Sequence, residues 1–223
     1  MKLLNHYKIV IVGAGPVGAT LSLLLSKNKI EHLIIRKYNL KNTTTIYNSL
    51  HVKPNMIDVK FEFEVPYILA VGAMDNSLKQ FDHLIKAYAK TNPSSIPLYI
   101  LGTGKFKTNY KKLVIQLGLE KQVKFLGFKD NENDYMKNAT FLIMSSKNEG
   151  FPNVLIECLA YGTPVISYDC DSGPSEIIIN EYNGLLVKNQ SIDDLAVAIN
   201  RMLTDHKLYA FCKSNAKSSI EKF

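Results

Sequence analysis

The stretch SSKNEGFPNVLIECLAYGTPVIS, residues 145–167, contains the signals for both ends of an apolar helix. Pro152 suits the first helical position, where its missing N–H is not needed, and Gly162 suits the position just beyond a helix end. Together they predict a helix over residues 153–161. The apolar run that follows is typical of a buried strand. The stretch therefore predicts a loop, a helix and a strand in succession.

Two glutamates stand eight residues apart in this stretch, Glu149 before the Gly-Phe-Pro turn and Glu157 inside the helix. Burying an unpaired carboxylate costs far more than a leucine at the same place would gain. We therefore expect Glu157 to be paired with something. Outside such a context, both residues would be read as ordinary solvated charges.

Strand and helix patterns alternate regularly on both sides of this stretch. Strands are predicted at YILAV (67–71), PLYIL (97–101), VKFLG (123–127), TFLIM (140–144), PVISY (164–168) and GLLV (184–187). Helices are predicted at about 77–90, 108–118, 132–137, 153–161, 174–180 and 192–204. The first shows the clearest apolar face, formed by Leu78, Phe81, Leu84, Ile85 and Tyr88. Strict alternation predicts an α/β fold with a Rossmann-like, doubly wound parallel sheet, which binds ligands beyond the carboxyl ends of its strands.

The chain divides into three predicted parts. Residues 1–42 read as an extra N-terminal βαβ unit, because a glycine turn, GAGPVG, separates the strand KIVIV from a helix and a second strand. The segment KYNLKNTTTIYNS (37–49) is polar, has no periodicity and reads as a linker, and the linker or junction is predicted over residues 43–66. Residues 67–223 form the main domain.

The composition, with 46% hydrophobic and 21% charged residues, is that of a globular protein. No run of about 18 apolar residues is present, so no transmembrane helix is predicted. Glycines interrupt the apolar N-terminal patch, so no signal peptide is expected either. Three cysteines without a CxxC pair fit a reducing compartment. These observations predict a cytoplasmic protein.

The 27 Lys and Arg residues exceed the 20 Asp and Glu residues, giving a formal net charge of +7. This excess favours an acidic partner, such as a phosphorylated ligand or an anionic membrane face. A solvated basic surface explains the charge equally well. No basic run is interleaved with aromatic residues, so a nucleic-acid partner is not expected.

The predicted helix after Pro152 offers backbone N–H groups and the positive end of its dipole to an anion. Glu149 stands just outside this position, and Glu157 stands about a turn and a half inside it. Two carboxylates, which only accept hydrogen bonds, suit a ligand with hydroxyl groups on both sides of a phosphate. A nucleotide-sugar has that form.

The chain from about residue 46 resembles the C-terminal, donor-binding half of the group 1 glycosyltransferases, which are retaining enzymes of the GT-B fold. The matching segments are IYNS, VGAMDNSLKQFDHLIKAY, LYILGTGKF, VKFLGF, SSKNEGFPNVLIECLAYGTPVIS and DCDSGPSEII followed by NGLLV. They stand in the family's order and spacing. The resemblance implies transfer of a hexosyl or N-acetylhexosaminyl group from a nucleotide-diphosphate sugar, with UDP expected. The implied acceptor is a cell-surface glycan or a lipid-linked glycan, as in lipopolysaccharide or polysaccharide biosynthesis in bacteria.

The resemblance also implies roles for matched residues. Glu149 would bind the donor sugar's hydroxyls, Lys79 would neutralise the departing diphosphate, and Glu157 would bind the ribose. Further donor-binding positions are implied at Gly72, Gly102, Gly104, Gly150, Phe151, Pro152, Asn153, Val154, Ser172 and Gly173. The glycines at 102 and 104 could equally be turn residues, and the segment from Ser172 to Glu176 could equally be a helix start. No metal is expected.

Two departures from the family bear on activity. Ala73 stands where the family usually has an arginine, which removes one cation from the diphosphate site. About 45 residues precede the part of the chain that resembles this family, fewer than the roughly 50 of even a small acceptor domain, and the C-terminal helix looks short. The alternatives left open are a partner chain that supplies the acceptor domain and a non-catalytic nucleotide-sugar-binding remnant. Peripheral association with the inner membrane face would suit a lipid-linked acceptor.

The segment VIVGAGPVGATLSLLLSKNKIEHLIIRK resembles the FAD-binding start of flavin monooxygenases. Gly13, Gly15 and Gly18 form its dinucleotide turn. Arg36 stands where that family has an acidic residue for the ribose, and a cation cannot accept those hydrogen bonds. No cofactor is therefore expected, and the segment reads as a vestigial turn. An FAD-linked oxidoreductase fragment is the remaining alternative.

Overall fold

The computed structural model describes residues 66–91, 96–221 and 223. Every element described below lies within one compact unit of the chain. The predicted N-terminal βαβ unit and linker, with Gly13, Gly15, Gly18 and Arg36, lie outside the described residues. The elements are β1 (Ile68–Val71), α1 (Phe81–Ala89), β2 (Leu98–Leu101), α2 (Lys107–Gln116), β3 (Val123–Gly127), α3 (Glu132–Asn138), β4 (Phe141–Met144), α4 (Asn153–Ala160), β5 (Val165–Asp169), α5 (Pro174–Ile177), β6 (Gly184–Lys188), α6 (Ile192–Thr204), α7 (His206–Asn215) and a 3-10 turn (Ser218–Ile220).

The six strands form one parallel sheet in the order β3-β2-β1-β4-β5-β6. This is the strand order of a doubly wound dinucleotide-binding fold, in which the winding reverses between β1 and β4. The predicted α/β fold class and all six predicted strands are confirmed. Because the reversal leaves a crevice at the carboxyl ends of the central strands, it locates the expected ligand site.

Helices cover both faces of the sheet. Helix α1 packs against α2 and α6, and α7 packs against α6, while α4 lies with α3 and α5 on the opposite face. The amphipathic pattern of α1 is the reason for its position, since Phe81, Leu84, Ile85 and Tyr88 are all buried. The β strands are apolar throughout because both faces of a covered parallel sheet are buried. None of the described helices is long and apolar enough to cross a bilayer.

Helix α1 starts later than the sequence predicts. The prediction placed its start near residue 77, but Gln80 has left-handed backbone angles (φ 44°, ψ 45°) and the helix begins at Phe81. A left-handed residue cannot continue a right-handed helix toward the N-terminus. Leu78 therefore lies in the preceding turn, where its N–H donates to Asn76 Oδ1 (3.0 Å), and not on the apolar face of the helix.

Helix α4 begins at Asn153, as predicted, although Pro152 stands at the N-cap position in an extended conformation and is not the first helical residue. Gly162 follows the helix end with φ 82°. Two other helices differ from prediction. Helix α5 ends at Ile177 and does not reach residue 180, because the Asn183 amide accepts from Ile179 N–H and donates to Ile177 O. Helix α7 was not predicted; the Asp205 side chain caps it by accepting from Leu208 N–H.

A substitution at Gly102 tests the close packing of the backbone just after β1 and β2. Gly102 has φ +122°, and a Cβ atom there would lie 2.0 Å from Gly72 O. We expect Gly102→Ala to lower the free energy of unfolding by about 3 kcal/mol or more, through strain and overlap together. Gly118→Ala is the matched control, since Gly118 also has positive φ but has no atom within 4 Å of the Cβ position; it should cost about 1 kcal/mol. Urea unfolding of both variants measures the difference, and equal losses would contradict the packing described.

Candidate active site

Four loops meet at the carboxyl edge of the sheet, following β1, β2, β4 and β5. They comprise residues 72–80, 102–106, 145–152 and 170–173. Backbone hydrogen bonds join them: Met74 N–H donates to Thr103 O (2.8 Å), and Lys147 N–H donates to Leu78 O (2.8 Å). Residues far apart in the sequence therefore form one surface.

Glycines allow the first two loops to touch. Gly102 lies directly against Gly72 O, and a Cβ atom at Gly104 would lie 2.4 Å from the Met74 carbonyl carbon. Gly102 N–H also donates to Gly127 O (2.8 Å), which links this loop to the end of β3. Both glycines have positive φ. The structure thus gives these two positions a packing function; their expected contact with a donor remains a prediction.

The turn that carries Lys79 is anchored from β4. The Ser145 hydroxyl lies 2.8 Å from Lys79 O and 3.1 Å from Gln80 O, and can donate to either. Ser145 is almost fully buried. These contacts hold the backbone on both sides of the left-handed Gln80, and so they fix the point from which the Lys79 side chain extends.

Lys79 and Glu149 form an ion pair with Nζ and Oε1 2.6 Å apart. The side chains are 27% and 16% exposed, respectively, so solvent reaches the pair only in part. The aliphatic stem of Lys79 passes over Gly72, where a Cβ atom would lie 3.2 Å from Lys79 Cε. The two residues predicted to be catalytic, 70 positions apart in sequence, are therefore in direct contact.

The loop that carries Glu149 is held against the loop after β5. The Ser172 hydroxyl donates to Glu149 O (2.7 Å). Gly173 has φ +91°, and a Cβ atom there would lie 2.5 Å from Pro152 Cδ and 2.8 Å from Gly150 O. In this structure Ser172 and Gly173 fix the shape of the Glu149 loop, which is a different task from the direct donor contact that the resemblance implied.

Glu157 lies on α4, one helical turn beyond Asn153. It is half-buried. Burial raises the pKa of its carboxyl above the ordinary value, and the negative charge of Glu132 adds to this rise. Within the part of the chain that the structure describes, no hydrogen bond or ion pair satisfies this carboxylate. The partner expected for Glu157 is therefore not found among the described protein groups, and its expected contact with a ribose stays a prediction.

The remaining predicted positions, Gly150, Phe151, Asn153 and Val154, form the loop and the first turn of α4 between the two glutamates. No side chain caps this end of the helix. Among the described residues, no three His, Cys, Asp or Glu side chains are grouped so that they could hold a metal ion. A cation, two carboxylates and a helix N-terminus on one edge can bind a ligand that carries both an anionic group and hydroxyls.

Two residues that position the site were not found by sequence reasoning. Ser145 and Gln80 fix the Lys79 turn through the contacts described above. A polar residue directly after the buried strand FLIM was the available signal for Ser145. The sequence contains no signal for Gln80, because nothing in it indicates a left-handed conformation at a glutamine.

The chain is similar to proteins that act on lipopolysaccharides and lipid-linked glycans. It is 33% identical to the N-acetylgalactosamine-N,N'-diacetylbacillosaminyl-diphospho-undecaprenol 4-alpha-N-acetylgalactosaminyltransferase of Campylobacter jejuni, over 92% of this chain and 56% of that protein. It is 28% identical to the lipopolysaccharide 1,6-galactosyltransferase of Salmonella typhimurium, over 84% of this chain and 53% of that protein. The chain thus spans about half the length of these curated relatives.

Solved structures show the same fold. The lipopolysaccharide outer core galactosyltransferase WaaB in its apo form superposes with a TM-score of 0.69 and 27% identity, over 81% of this chain and 51% of that chain. Anabaena Alr3699/HepE in complex with UDP and glucose superposes with a TM-score of 0.64 and 26% identity, over 70% of this chain and 44% of that chain.

Two families match the sequence. Residues 6–59 match the FAD binding domain family, which agrees with the resemblance noted for the N-terminal segment. Residues 53–219 match the family described as glycosyl transferases group 1, and this match covers most of the chain. The chain belongs to the group 1 glycosyl transferases.

Proposed function

We propose that residues 67–223 bind the donor in a retaining glycosyltransferase. The donor is a nucleotide-diphosphate sugar, a UDP-sugar in particular, and the group transferred is a hexosyl or N-acetylhexosaminyl group. The acceptor is a cell-surface glycan or a lipid-linked glycan. The names of the Campylobacter and Salmonella relatives support this acceptor class, and the UDP in the Anabaena structure supports the nucleotide.

The observation that carries the proposal is the state of the Glu157 carboxylate. It is half-buried, its pKa is raised by burial, and no described residue satisfies it. The ionised carboxylate is partly desolvated in the absence of a ligand, and hydrogen-bond donors supplied by a ligand would offset that cost. Ribose hydroxyls are suitable donors, because a carboxylate can accept from both of them.

Lys79 and Glu149 provide the second part of the site. In the absence of ligand they neutralise each other. When a donor is present, the Lys79 ammonium would also contact the diphosphate, and the Glu149 carboxylate would accept from the sugar hydroxyls. As the bond between sugar and diphosphate breaks, negative charge grows on the diphosphate, and a fixed cation stabilises that charge. The contact is electrostatic, so this step needs no proton transfer from Lys79.

The proposed transfer uses no metal ion and no FAD. The match of residues 6–59 to the FAD binding domain family favours an FAD-linked oxidoreductase fragment as the second candidate function. Against it stands Arg36, which cannot accept hydrogen bonds from a ribose. A flavin absorption band that stays with the purified chain would support the second candidate.

We further propose that the acceptor side of the site comes from outside residues 67–223, with a partner chain as one source. The protein would work in the cytoplasm, peripherally at the inner membrane face. A chain that binds UDP-sugars but transfers nothing, even with an acceptor substrate present, would be a binding remnant. These assignments extend beyond the half of each relative that this chain spans.

The first test of the site is isothermal titration of the purified chain with UDP. Glu157→Ala should lower UDP affinity about tenfold or more, because a charge-assisted hydrogen bond is lost. Arg36→Ala should leave the affinity unchanged. Absence of saturable UDP binding, or equal affinity of Glu157→Ala and wild type, would contradict the donor site.

A second pair of variants tests the cation. Lys79→Gln should weaken UDP binding about tenfold through loss of the contact to the diphosphate. Lys86→Gln is the matched control, since Lys86 forms an exposed ion pair with Asp82 on α1. Both variants are titrated with UDP and with uridine, which lacks the diphosphate. Lys79→Gln should weaken binding of UDP but not of uridine, and Lys86→Gln should weaken neither. A similar loss with uridine would mean that Lys79 acts through the fold.

The variant Glu157→Gln tests whether the ionised Glu157 carboxylate destabilises the folded protein. The pKa of the Glu157 carboxyl is higher in the folded protein than in the unfolded chain. Above that raised pKa the carboxyl is ionised and lowers the free energy of unfolding, whereas at acidic pH it is protonated and this loss disappears. The Tm of Glu157→Gln should therefore exceed that of wild type near neutral pH, and the difference should vanish below the ordinary carboxyl value of 4.5. Glu120→Gln, at an exposed position, is the control. A lower Tm for Glu157→Gln at neutral pH would show that the carboxylate is a structural group.

A further inference from the structure

The positive charge of the described domain is concentrated in one segment. Residues 105–129, named here the basic edge, contain seven lysines and a single acidic residue, Glu120. The other described residues contain ten Lys or Arg against fifteen Asp or Glu. The lysines of the basic edge are Lys105, Lys107, Lys111, Lys112, Lys121, Lys124 and Lys129. The net charge of the whole chain therefore does not reveal how strongly the positive charge is concentrated in the basic edge.

The basic edge coincides with one side of the domain. It consists of α2, the strand β3 and the loops that flank them, and β3 is the last strand of the sheet on that side. The two ends of the segment come together, since Lys107 Nζ lies 4.0 Å from the Cβ position of Gly127. Among the described residues, every ion pair uses Lys79, Lys86, Lys90 or Arg201, and none uses a lysine of the basic edge.

Large apolar side chains are exposed among these lysines. Ile115 is 61% exposed, Leu117 is 39% exposed and Phe128 is 72% exposed. Of the described domain's six exposed large hydrophobic side chains, these three lie within the 25 residues of the basic edge. Exposed apolar groups that alternate with unpaired cations along one segment indicate a partner that is both anionic and apolar.

We propose that the basic edge is a docking surface for an anionic lipid bilayer. The lysine ammonium groups would lie among the lipid phosphates, and Phe128, Ile115 and Leu117 would enter the boundary between headgroups and acyl chains. A polyanion such as a nucleic acid would pair with the lysines but would leave the aliphatic side chains in water. Lysines on an edge strand can also serve to prevent that strand from pairing with another chain. This explanation suits Lys124 on β3, but it does not explain the lysines of α2.

The position of the basic edge gives the docking a consequence for the candidate site. Gly102 N–H donates to Gly127 O, so the end of β3 adjoins the loops that carry the site. A bilayer at this edge would lie beside the carboxyl ends of the strands. The surface is argued from charge and exposure alone and does not depend on the identity of the donor.

Vesicle co-sedimentation of the full chain tests the charge component. The chain should bind vesicles of phosphatidylcholine with phosphatidylglycerol, in a salt-sensitive manner, and should bind pure phosphatidylcholine vesicles far less. The double variant Lys111→Gln, Lys112→Gln should lower the partition coefficient about 25-fold, or about fivefold for each lysine. The matched control is Lys207→Gln, Lys213→Gln, two exposed lysines on α7. Residues 1–65 are present in every arm, so the arms differ only in the substituted lysines.

A fluorescent reporter tests the apolar component. The chain contains no tryptophan, so Phe128→Trp introduces a single indole at the basic edge. Its emission should shift to the blue and become protected from acrylamide when vesicles containing phosphatidylglycerol are added. Phe211→Trp on α7, at a residue that is 52% exposed, is the control and should show neither change.

Several outcomes would overturn the proposal. They are equal binding to neutral and anionic vesicles, an equal loss in the α2 and α7 double variants, and an indole at position 128 that stays fully quenchable on vesicles. Heparin or DNA that binds the basic edge without protecting the indole, in the absence of vesicle binding, would assign the surface to a soluble polyanion. Because none of these readouts involves UDP, failure here leaves the donor-site proposal untouched, and the reverse also holds.

Discussion

The contact of backbone with backbone at the carboxyl edge of the sheet is the constraint on which the candidate site depends. The loops after β1 and β2 approach so closely that Gly102 and Gly104 have no room for a Cβ atom. Gly173 brings the loop after β5 against Gly150 and Pro152 in the same way. Because side chains are absent where the loops cross, rigid backbone positions the groups that carry charge.

This rigidity has a clear effect on Lys79 and Glu149. A salt bridge between partly exposed side chains contributes little to stability on its own, and its geometry ordinarily varies. Here Ser145 fixes the turn behind Lys79, and Ser172 holds the carbonyl of Glu149. The backbone that carries Lys79 and Glu149 is thus already ordered at one place on the sheet edge. A ligand that binds there loses little free energy to ordering it. Such preorganisation is what electrostatic stabilisation of a departing diphosphate requires.

Glu157 and the basic edge are both places where local stability is given up. A half-buried carboxylate with a raised pKa costs folding free energy when it is ionised, and exposed apolar groups add none of the stability that their burial would give. A core built only for stability would have an apolar residue at position 157, and a surface built only for solubility would have fewer apolar groups near its lysines. Both features become understandable if a ligand and a bilayer surface, respectively, complete them.

The sequence by itself determined the alternation of strands and helices, the end of α4 just before Gly162, and the places of Glu149 before that helix and Glu157 within it. These features depend on neighbours within a few residues, through side-chain periodicity and capping, and local chemistry encodes them directly. Only the tertiary structure decided that Lys79 meets Glu149 from 70 residues away, that Gln80 is left-handed and that Asn183 ends α5 early. Each of these depends on which strands become neighbours in the sheet or on a side chain that competes for backbone groups, and residue order within one element does not specify either.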